Sequence, residues 1–231
     1  MKTIRTSSRL WGRGRHRLRR VAVLALAVLL LWPALPVLAL RFVPPLGSAL
    51  MVQRWVEAHA AGRSYRIQYQ WVPARQMAPS LRAAVIVSED QRFFEHGGFD
   101  WQAMWRALGE WRGGDKLRGA STISQQVAKN LFLWPGRSFL RKGLEAWLTL
   151  WIELLWPKQR ILEVYLNVAE LGDGVFGAEA AAHRYFGRSA ARLGAGESAL
   201  LAAMLPSPRR SNPANPSRFL RERQQWILHQ L

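Results

Sequence analysis

Three stretches of this chain hold residue types that can move protons or grip anions. The first is Ser88-Glu89-Asp90-Gln91-Arg92-Phe93-Phe94-Glu95-His96-Gly97-Gly98. Neighbouring carboxylates at a helix end point about 100° apart, so at most one of Glu89 and Asp90 aims into a cleft. A carboxylate beside Phe93 and Phe94 loses hydration, which moves it toward a useful general base; the alternative is a solvated helix end with ordinary surface charges. His96 has no second histidine at ligand spacing, which favours a hydrogen-bonded structural histidine over a metal ligand. The second stretch is Arg118-Gly119-Ala120-Ser121-Thr122-Ile123-Ser124-Gln125-Gln126-Val127-Ala128-Lys129-Asn130. A small-residue loop entering a Ser/Thr-capped helix leaves free backbone N–H groups, an anion site. Thr122, Gln125 or Gln126, and Lys129 share one face there by i, i+3 and i+4 spacing. A capped amphipathic helix is the alternative, and without GxxxxGK[ST] spacing a nucleoside triphosphate is not indicated. The third stretch, Arg137 to Glu145, sets Glu145 at the start of a Trp/Leu-rich helix, where a lone carboxylate is costly. Lys129, Arg137, Arg141 and Lys142 could neutralise it, although Arg141 and Glu145 also have the spacing of a simple helix pair. Two separated carboxylates plus cations suit transfer from a phosphate-linked donor, in which cations hold the leaving phosphate and a carboxylate deprotonates the nucleophile.

The elements that must position these groups are mostly helical. From Ser80 onward the apolar period is helical, with N-caps expected at Ser80 and Asp100 and breaks at Gly97-Gly98, Gly113-Gly114, Pro135-Gly136, Pro157 and Gly172 to Gly177. Leu144 to Trp156, Glu197 to Leu205 and Arg218 to Leu231 read as helices, and Tyr65 to Val72 alternates as the one good strand signal. The 231 residues, 49% hydrophobic and 21% charged, accommodate one ordinary domain with an appendage and exclude disordered and low-complexity classes. The absence of cysteine excludes disulfides, thiolate metal sites and a cysteine nucleophile.

The net charge of +18 is unevenly spread. Lys2, Arg5, Arg9, Arg13, Arg15, Arg17, Arg19 and Arg20 make a basic arm over 1–20 without an acidic residue, and the rest keeps a surplus of +10. Val21 to Leu40 is uncharged; a helix of this length reaches about 30 Å, the thickness of a bilayer's hydrocarbon core. Pro33 and Pro36 bend that helix or end its regular part early. The arm stays cytoplasmic by the positive-inside rule, and everything after Arg41 crosses. A cleaved leader ending at Val37-Leu38-Ala39 is the competing reading, against which the length of the apolar stretch speaks. Both readings export the body, which argues against nucleic acid as its partner. Residues 41–79 are then a linker and membrane-proximal segment, and 80–231 the catalytic domain. An aromatic knob, Leu131 to Trp134 with Phe139-Leu140, either dips into a bilayer surface or packs in the core.

The runs EDQRFFEHGGFD (89–100), RGASTISQQVAKNLFL (118–133), RKGLEA (141–146), KQRILEVYLNVAELGDGVFGAEAAAHRYFG (158–187) and ESALLAAMLPSP (197–208) resemble, in order, the peptidoglycan glycosyltransferases of family 51, above all their monofunctional biosynthetic members. The resemblance implies a lysozyme-like, mainly α domain with an N-terminal transmembrane helix in the bacterial inner membrane and a periplasmic catalytic domain. Its implied activity is polymerisation of lipid II into glycan strands with release of undecaprenyl diphosphate. By the same resemblance Glu89 is the general base on the acceptor's 4-hydroxyl, with Asp90, Phe93 and His96 in support. Ser121, Thr122, Gln125, Lys129 and Asn130 match the donor-site motif, Lys129 and Arg137 hold the leaving diphosphate, and Arg141 belongs with these cations. Glu145 matches a second essential carboxylate that orients basic groups or holds a divalent cation, Mg or Mn. Lys158, Glu163, Tyr165 and Asn167 read as scaffold. Ala120 departs from the glycine of many relatives and slightly restricts the loop.

The implied partners are lipid II and lipid-linked glycan, the membrane, and transpeptidases or division proteins. These 231 residues contain no Ser-x-x-Lys or Lys-Thr-Gly, so they hold no transpeptidase. Two rivals stand beside this reading. One is a lytic enzyme of similar fold using Glu89 as acid, for which the Lys129, Arg137, Arg141 cluster has no purpose. The other is a non-catalytic wall-binding scaffold, against which the intact motif set speaks.

Overall fold

The computed structural model describes residues 19–21, 23–24, 27–28, 31–113, 121–134, 136 and 138–231. Residues 1–18 of the basic arm, five residues of the 21–40 stretch, the loop Arg118-Gly119-Ala120 and Arg137 lie outside the described residues. Among the described residues no helix is long and apolar enough to cross a membrane. The chain turns at Trp32-Pro33 and continues as α1 (Ala34–Phe42). Pro36 falls in its first turn, where a missing N–H costs nothing.

Among the described residues, beyond the helical ones within 19–31, ten α-helices, three short 3-10 turns and a small sheet are formed. After α1 come α2 (Ala49–Ala60), β1 (Gln68–Tyr69), α3 (Pro79–Glu89), α4 (Trp101–Arg112), α5 (Ile123–Phe132), α6 (Phe139–Leu155) and α7 (Lys158–Val168). The chain then forms β2 (Glu170–Gly172), β3 (Val175–Phe176), α8 (Ala178–Phe186), α9 (Ala195–Met204) and α10 (Arg218–Gln230). The mainly helical expectation holds. The strand expected over Tyr65 to Val72 shrinks to two residues, and two further strands arise where Gly172 to Gly177 had read only as a break. Strand β1 runs parallel to β3, with Gln68 opposite Val175, and β3 runs antiparallel to β2. Strands this short carry no readable period. At Gly177 φ is +83°, and an added Cβ would strike the Asn167 carbonyl oxygen, so only glycine permits β3 to enter α8.

Helix ends follow local chemistry with one exception. Ser48, Thr122, Ser138 and Ser217 each cap a helix through their hydroxyl oxygen, and Asp100 Oδ1 accepts from Ala103 N–H at 2.9 Å, as expected. Ser80 does not cap α3. Pro79 occupies the first turn, and Ser80 Oγ lies 2.9 Å from Ser198 Oγ on α9.

The core has two adjoining parts, one where α5 packs on α7 and α6, the other where α9 packs between α3 and α10. Ile123 and Val127 of α5 meet Ile161, Val164 and Tyr165 of α7, all essentially without exposure. Every residue of α9 from Ser198 to Met204 is buried, because α3 covers one side and α10 another. The aromatic knob divides: Leu131 and Leu133 are core, whereas Trp134, Leu140 and Phe139 (99% exposed) face outward.

The stretch 41–79, expected as a linker, is built into this body. Tyr69 donates to the Pro45 carbonyl at 2.6 Å, Asn167 bridges Val72 through both its N–H and C=O, and Arg54 pairs with Glu170. Prolines 44 and 45 stiffen the entry without detaching the rest of the segment. Helix α1 is docked as well: Trp156 Nε1 donates to Val37 O at 2.7 Å, Arg160 to Leu40 O at 2.7 Å and to Val43 O at 2.8 Å.

Candidate active site

Helix α3 ends at Glu89, and Asp90 leaves helical geometry (φ −163°, ψ 74°), so the two adjacent carboxylates diverge. Asp90 turns inward. Its Oδ2 accepts from Ile123 N–H at 3.0 Å, at the N-terminus of α5, and its Oδ1 accepts from His96 Nε2 at 2.8 Å. His96 Nδ1 accepts from Gly98 N–H at 3.2 Å, which fixes the ring proton on Nε2. The positive end of α5 is thus occupied by the protein's own carboxylate. Ile123 N–H is therefore not free for an external anion, while loop residues 118–120 of that expectation lie outside the described residues.

Further residues expected at the substrate also serve the fold. Thr122 and Gln125 form a reciprocal capping box: Thr122 Oγ1 accepts from Gln125 N–H at 3.2 Å and Gln125 Oε1 from Thr122 N–H at 3.0 Å. The Thr122 hydroxyl proton goes to Gly98 O at 2.7 Å, leaving none for a ligand. Phe93 is fully enclosed under Lys158, whose Nζ stands 4.6 Å above its ring, and Phe94 takes the exposed position. Phe93, Thr122, Gln125 and His96 therefore hold the loop that carries Glu89, and Thr122 also borders the first recess with its hydroxyl proton already donated.

Glu89 faces the cleft. Its Oε2 accepts from Gln126 Nε2 at 3.0 Å; its Oε1 lies 3.1 Å from Ser88 Oγ and 3.5 Å from Arg223 Nη2. Gln126 is oriented in turn, because its Oε1 accepts from Tyr165 O–H at 3.1 Å. Burial, and then the charges of Glu89 and Asp90, hold the Tyr165 phenol well above its ordinary pKa, so it remains a donor. Of the two adjacent glutamines, Gln126 belongs to the cleft. Spacing left that choice open, and no local pattern could have pointed to Arg223, which reaches Ser88 across 135 residues.

The second carboxylate is locked. Glu145 is 3% exposed; Arg141 Nη1 donates to its Oε2 at 2.9 Å and Lys142 Nζ to its Oε1. Two cations one turn upstream offset the burial that the sequence had flagged as costly. A divalent cation does not fit this donor set. Both carboxylate oxygens are already on cations, and among the described residues no group of three His, Cys, Asp or Glu side chains gathers around it.

Helix α5 is the spine linking the two carboxylates. From Ile123 to Lys129 it advances about 9 Å past three recesses, the second and third of which share Leu50, Lys129 and Asn130. The first, about 320 Å³, is lined by Glu89, Arg92, Arg106, Ser121 and Trp226. The second, about 230 Å³, is lined by Gln126, Lys129, Asn130, Tyr165 and Arg54. The third, about 400 Å³, is bounded by Lys129, Asn130, Trp134 and Arg141. Lys129 reaches solvent through the mouth of the cleft but is flanked by protein on its other sides. That partial burial, reinforced by Arg141 and Lys142, outweighs the pull of Glu145 and Glu89 and lowers its pKa from the ordinary 10.5. The cleft therefore has a carboxylate with open access at one end and a cation cluster at the other, a pairing that can deprotonate a nucleophile and stabilise a departing anion.

The Transglycosylase family model matches residues 57–231, which take in both carboxylates and the described cations of the cleft except Arg54. The chain belongs to the transglycosylase family. It is 53% identical over 212 residues to a biosynthetic peptidoglycan transglycosylase of Xylella fastidiosa strain 9a5c, covering 91% of this chain and 87% of that protein. Relatives bearing the same name occur in Chromohalobacter salexigens, 56% identical over 195 residues (84% and 83% covered), and Stutzerimonas stutzeri, 52% identical over 216 residues (92% and 89% covered). Within this transglycosylase, Glu89, Lys129, Arg141 and Glu145 all fall inside the family match, whereas Arg54 and most of α2 precede it.

Proposed function

We propose that this transglycosylase polymerises peptidoglycan glycan chains, transferring the lipid-linked growing glycan from undecaprenyl diphosphate to the 4-hydroxyl of lipid II. One observation carries the reading: Glu89 at the end of α3 opens on the first recess, while Lys129 on α5 borders the second and third and Arg141 on α6 borders the third. A hydroxyl in the first recess gives its proton to Glu89 while its oxygen forms a bond to C1 of the donor. The bond from C1 to the diphosphate breaks on the opposite side, inverting the anomeric centre. Its electron pair leaves on a diphosphate oxygen next to Lys129 and Arg141, with Arg137 as a further cation. Gln126 and Ser88 keep the base aimed, and Ser121 and Asn130 contact the sugar-diphosphate. Glu145 fixes Arg141 and Lys142 through its two oxygens.

In the same proposal the body is lysozyme-like and periplasmic. The 1–20 arm is cytoplasmic and the 21–40 stretch carries the single-pass anchor in the inner membrane, its last residues, from Ala34 on, docking on the body as α1. Residues 41–79 follow that anchor and pack into the same catalytic body as 80–231, and a transpeptidase or division protein crosslinks or recruits the product. The test incubates the full-length protein and Glu89→Gln with labelled lipid II in detergent and resolves products by size. Long strands are expected from the wild type, and a loss of about 10²- to 10⁴-fold in the variant. Shortening of preformed glycan without polymerisation would establish the lytic alternative; equal activity of both proteins would remove Glu89 as the base.

A further inference from the structure

Helix α2 is weakly seated by its apolar contacts alone. Of its twelve residues only Met51 and Ala58 are buried, and Val52, Trp55 and Val56 face outward. Yet it closes one side of the catalytic cleft: Leu50 and Arg54 line the second recess opposite Gln126 and Lys129, and Leu50 and Gln53 line the third. What seats it is a two-point fork. Arg54 Nε and Nη2 reach Glu170 Oε2 at 3.0 and 2.8 Å, Nε also lies 3.1 Å from Oε1, and the remaining Nη1 donates to Glu57 on α2 itself at 3.0 Å. Glu170 is almost fully enclosed, with 5% of its side chain exposed, and it sits on β2, directly after the Ala169 turn that ends α7. The fork thus joins a helix that lies mostly upstream of the family match to the strand that follows the helix of Tyr165, the residue that orients Gln126.

We propose that α2 is a working wall of the cleft and that Arg54 and Glu170 are positioning residues, a latch whose closure sets the width of the recess next to Lys129 and hence the fit of the anionic donor. This rests on the transferase reading above. Each guanidinium nitrogen of Arg54 already donates to a carboxylate, so the residue acts chiefly by holding α2 in place. Lysine at 54 keeps the charge but cannot reproduce the fork.

The experiment compares the full-length wild type with Arg54→Lys, Arg54→Ala and the double variant Arg54→Met/Glu170→Leu, which leaves no buried charge unpaired. Two readouts are taken: hydrogen exchange of residues 49–60, and the split between KM and kcat in lipid II polymerisation. The latch predicts faster exchange over 49–60 in Arg54→Ala and a KM about tenfold higher with kcat within about threefold, since ground-state and transition-state binding are lost together. Arg54→Lys falls between, and the double variant restores thermal stability without restoring KM. Unchanged exchange in Arg54→Ala, or released α2 with unchanged KM, overturns the proposal. A fall in kcat and melting temperature that the double variant fully repairs also overturns it, since that is the signature of a structural pair alone. Failure of the wild type to polymerise lipid II overturns the transferase reading instead, and the exchange data then decide whether Arg54 holds α2.

Discussion

Glu89 and Glu145 carry the same group in opposite settings. Glu145 has both oxygens on cations and nothing to offer a reactant, whereas Glu89 is steadied by Gln126 and Ser88 and opens on a recess. Their exchange for glutamine should therefore differ: Glu89→Gln retains its amide and hydroxyl neighbours and keeps the fold, while Glu145→Gln strands Arg141 and Lys142 without their anion. Lys129 gives a pH signature. Its folded pKa lies below the ordinary 10.5, so between that lowered value and 10.5 the folded chain binds fewer protons than the unfolded one. The cost of holding the ammonium is present in full below this window and is relieved as pH rises through it. A bound diphosphate works in the other direction by favouring the ammonium, so affinity falls as pH climbs through the lowered value. The KM for lipid II should accordingly begin its alkaline rise at lower pH in the wild type than in Lys129→Arg, whose guanidinium stays charged. Superimposable alkaline limbs would take Lys129 out of the anion site.

Among the elements, α5 has the most riding on its first turn. Asp90 satisfies Ile123 N–H and pins His96, and His96 in turn holds Gly98. Gly98 has φ +92°, and an added Cβ would come within 2.8 Å of Thr149 Cγ2 and 2.9 Å of the Glu153 side chain, so the motif loop is pressed against α6. Ser124 and Lys158 meet Glu153 beneath it. Replacing Asp90 by alanine removes a charged acceptor from a helix N-terminus and leaves a buried N–H unpaired, at a cost of about 1–3 kcal/mol. Thermal unfolding should show that loss, and lipid II turnover should fall further than stability alone explains, because the loop carrying Glu89 loses its tether. A variant with wild-type melting and turnover would show that the cap is dispensable.

At the scale of the molecule, the docking of α1 fixes the angle at which the chain enters the catalytic body. Arg160 donates to Leu40 O and Val43 O, Trp156 to Val37 O, and Arg41 returns a bond to Leu155 O at 2.7 Å. On the outer side Leu35 and Phe42 of α1 and Leu150 and Leu154 of α6 are exposed. Arg160→Met should free residues 34–43 to exchange hydrogen faster and lower stability by about 1.5–3 kcal/mol, the range for hydrogen bonds from a charged donor. Unchanged protection there would mean that Trp156 and apolar packing suffice.

Local spacing was enough for everything that closes within one or two turns. The helical class, the Asp100 cap, the Arg141–Glu145 pairing, the final helix and the motif loops all follow from residues at most a few positions apart, where backbone geometry alone brings side chains together. The sequence also narrowed the base to Glu89 or Asp90 by their divergence at a helix end, and the resemblance pointed to Glu89. It could not say which of the pair turns inward, that Gln126 rather than Gln125 faces the cleft, or that the anion at the start of α5 is Asp90. Nor could it show that 41–79 is part of the body, or that Arg54 and Glu170, 116 residues apart, join across the cleft. Those outcomes depend on how helices dock, and docking is set by the summed burial of many apolar side chains in α5, α7 and α9, which no single spacing encodes.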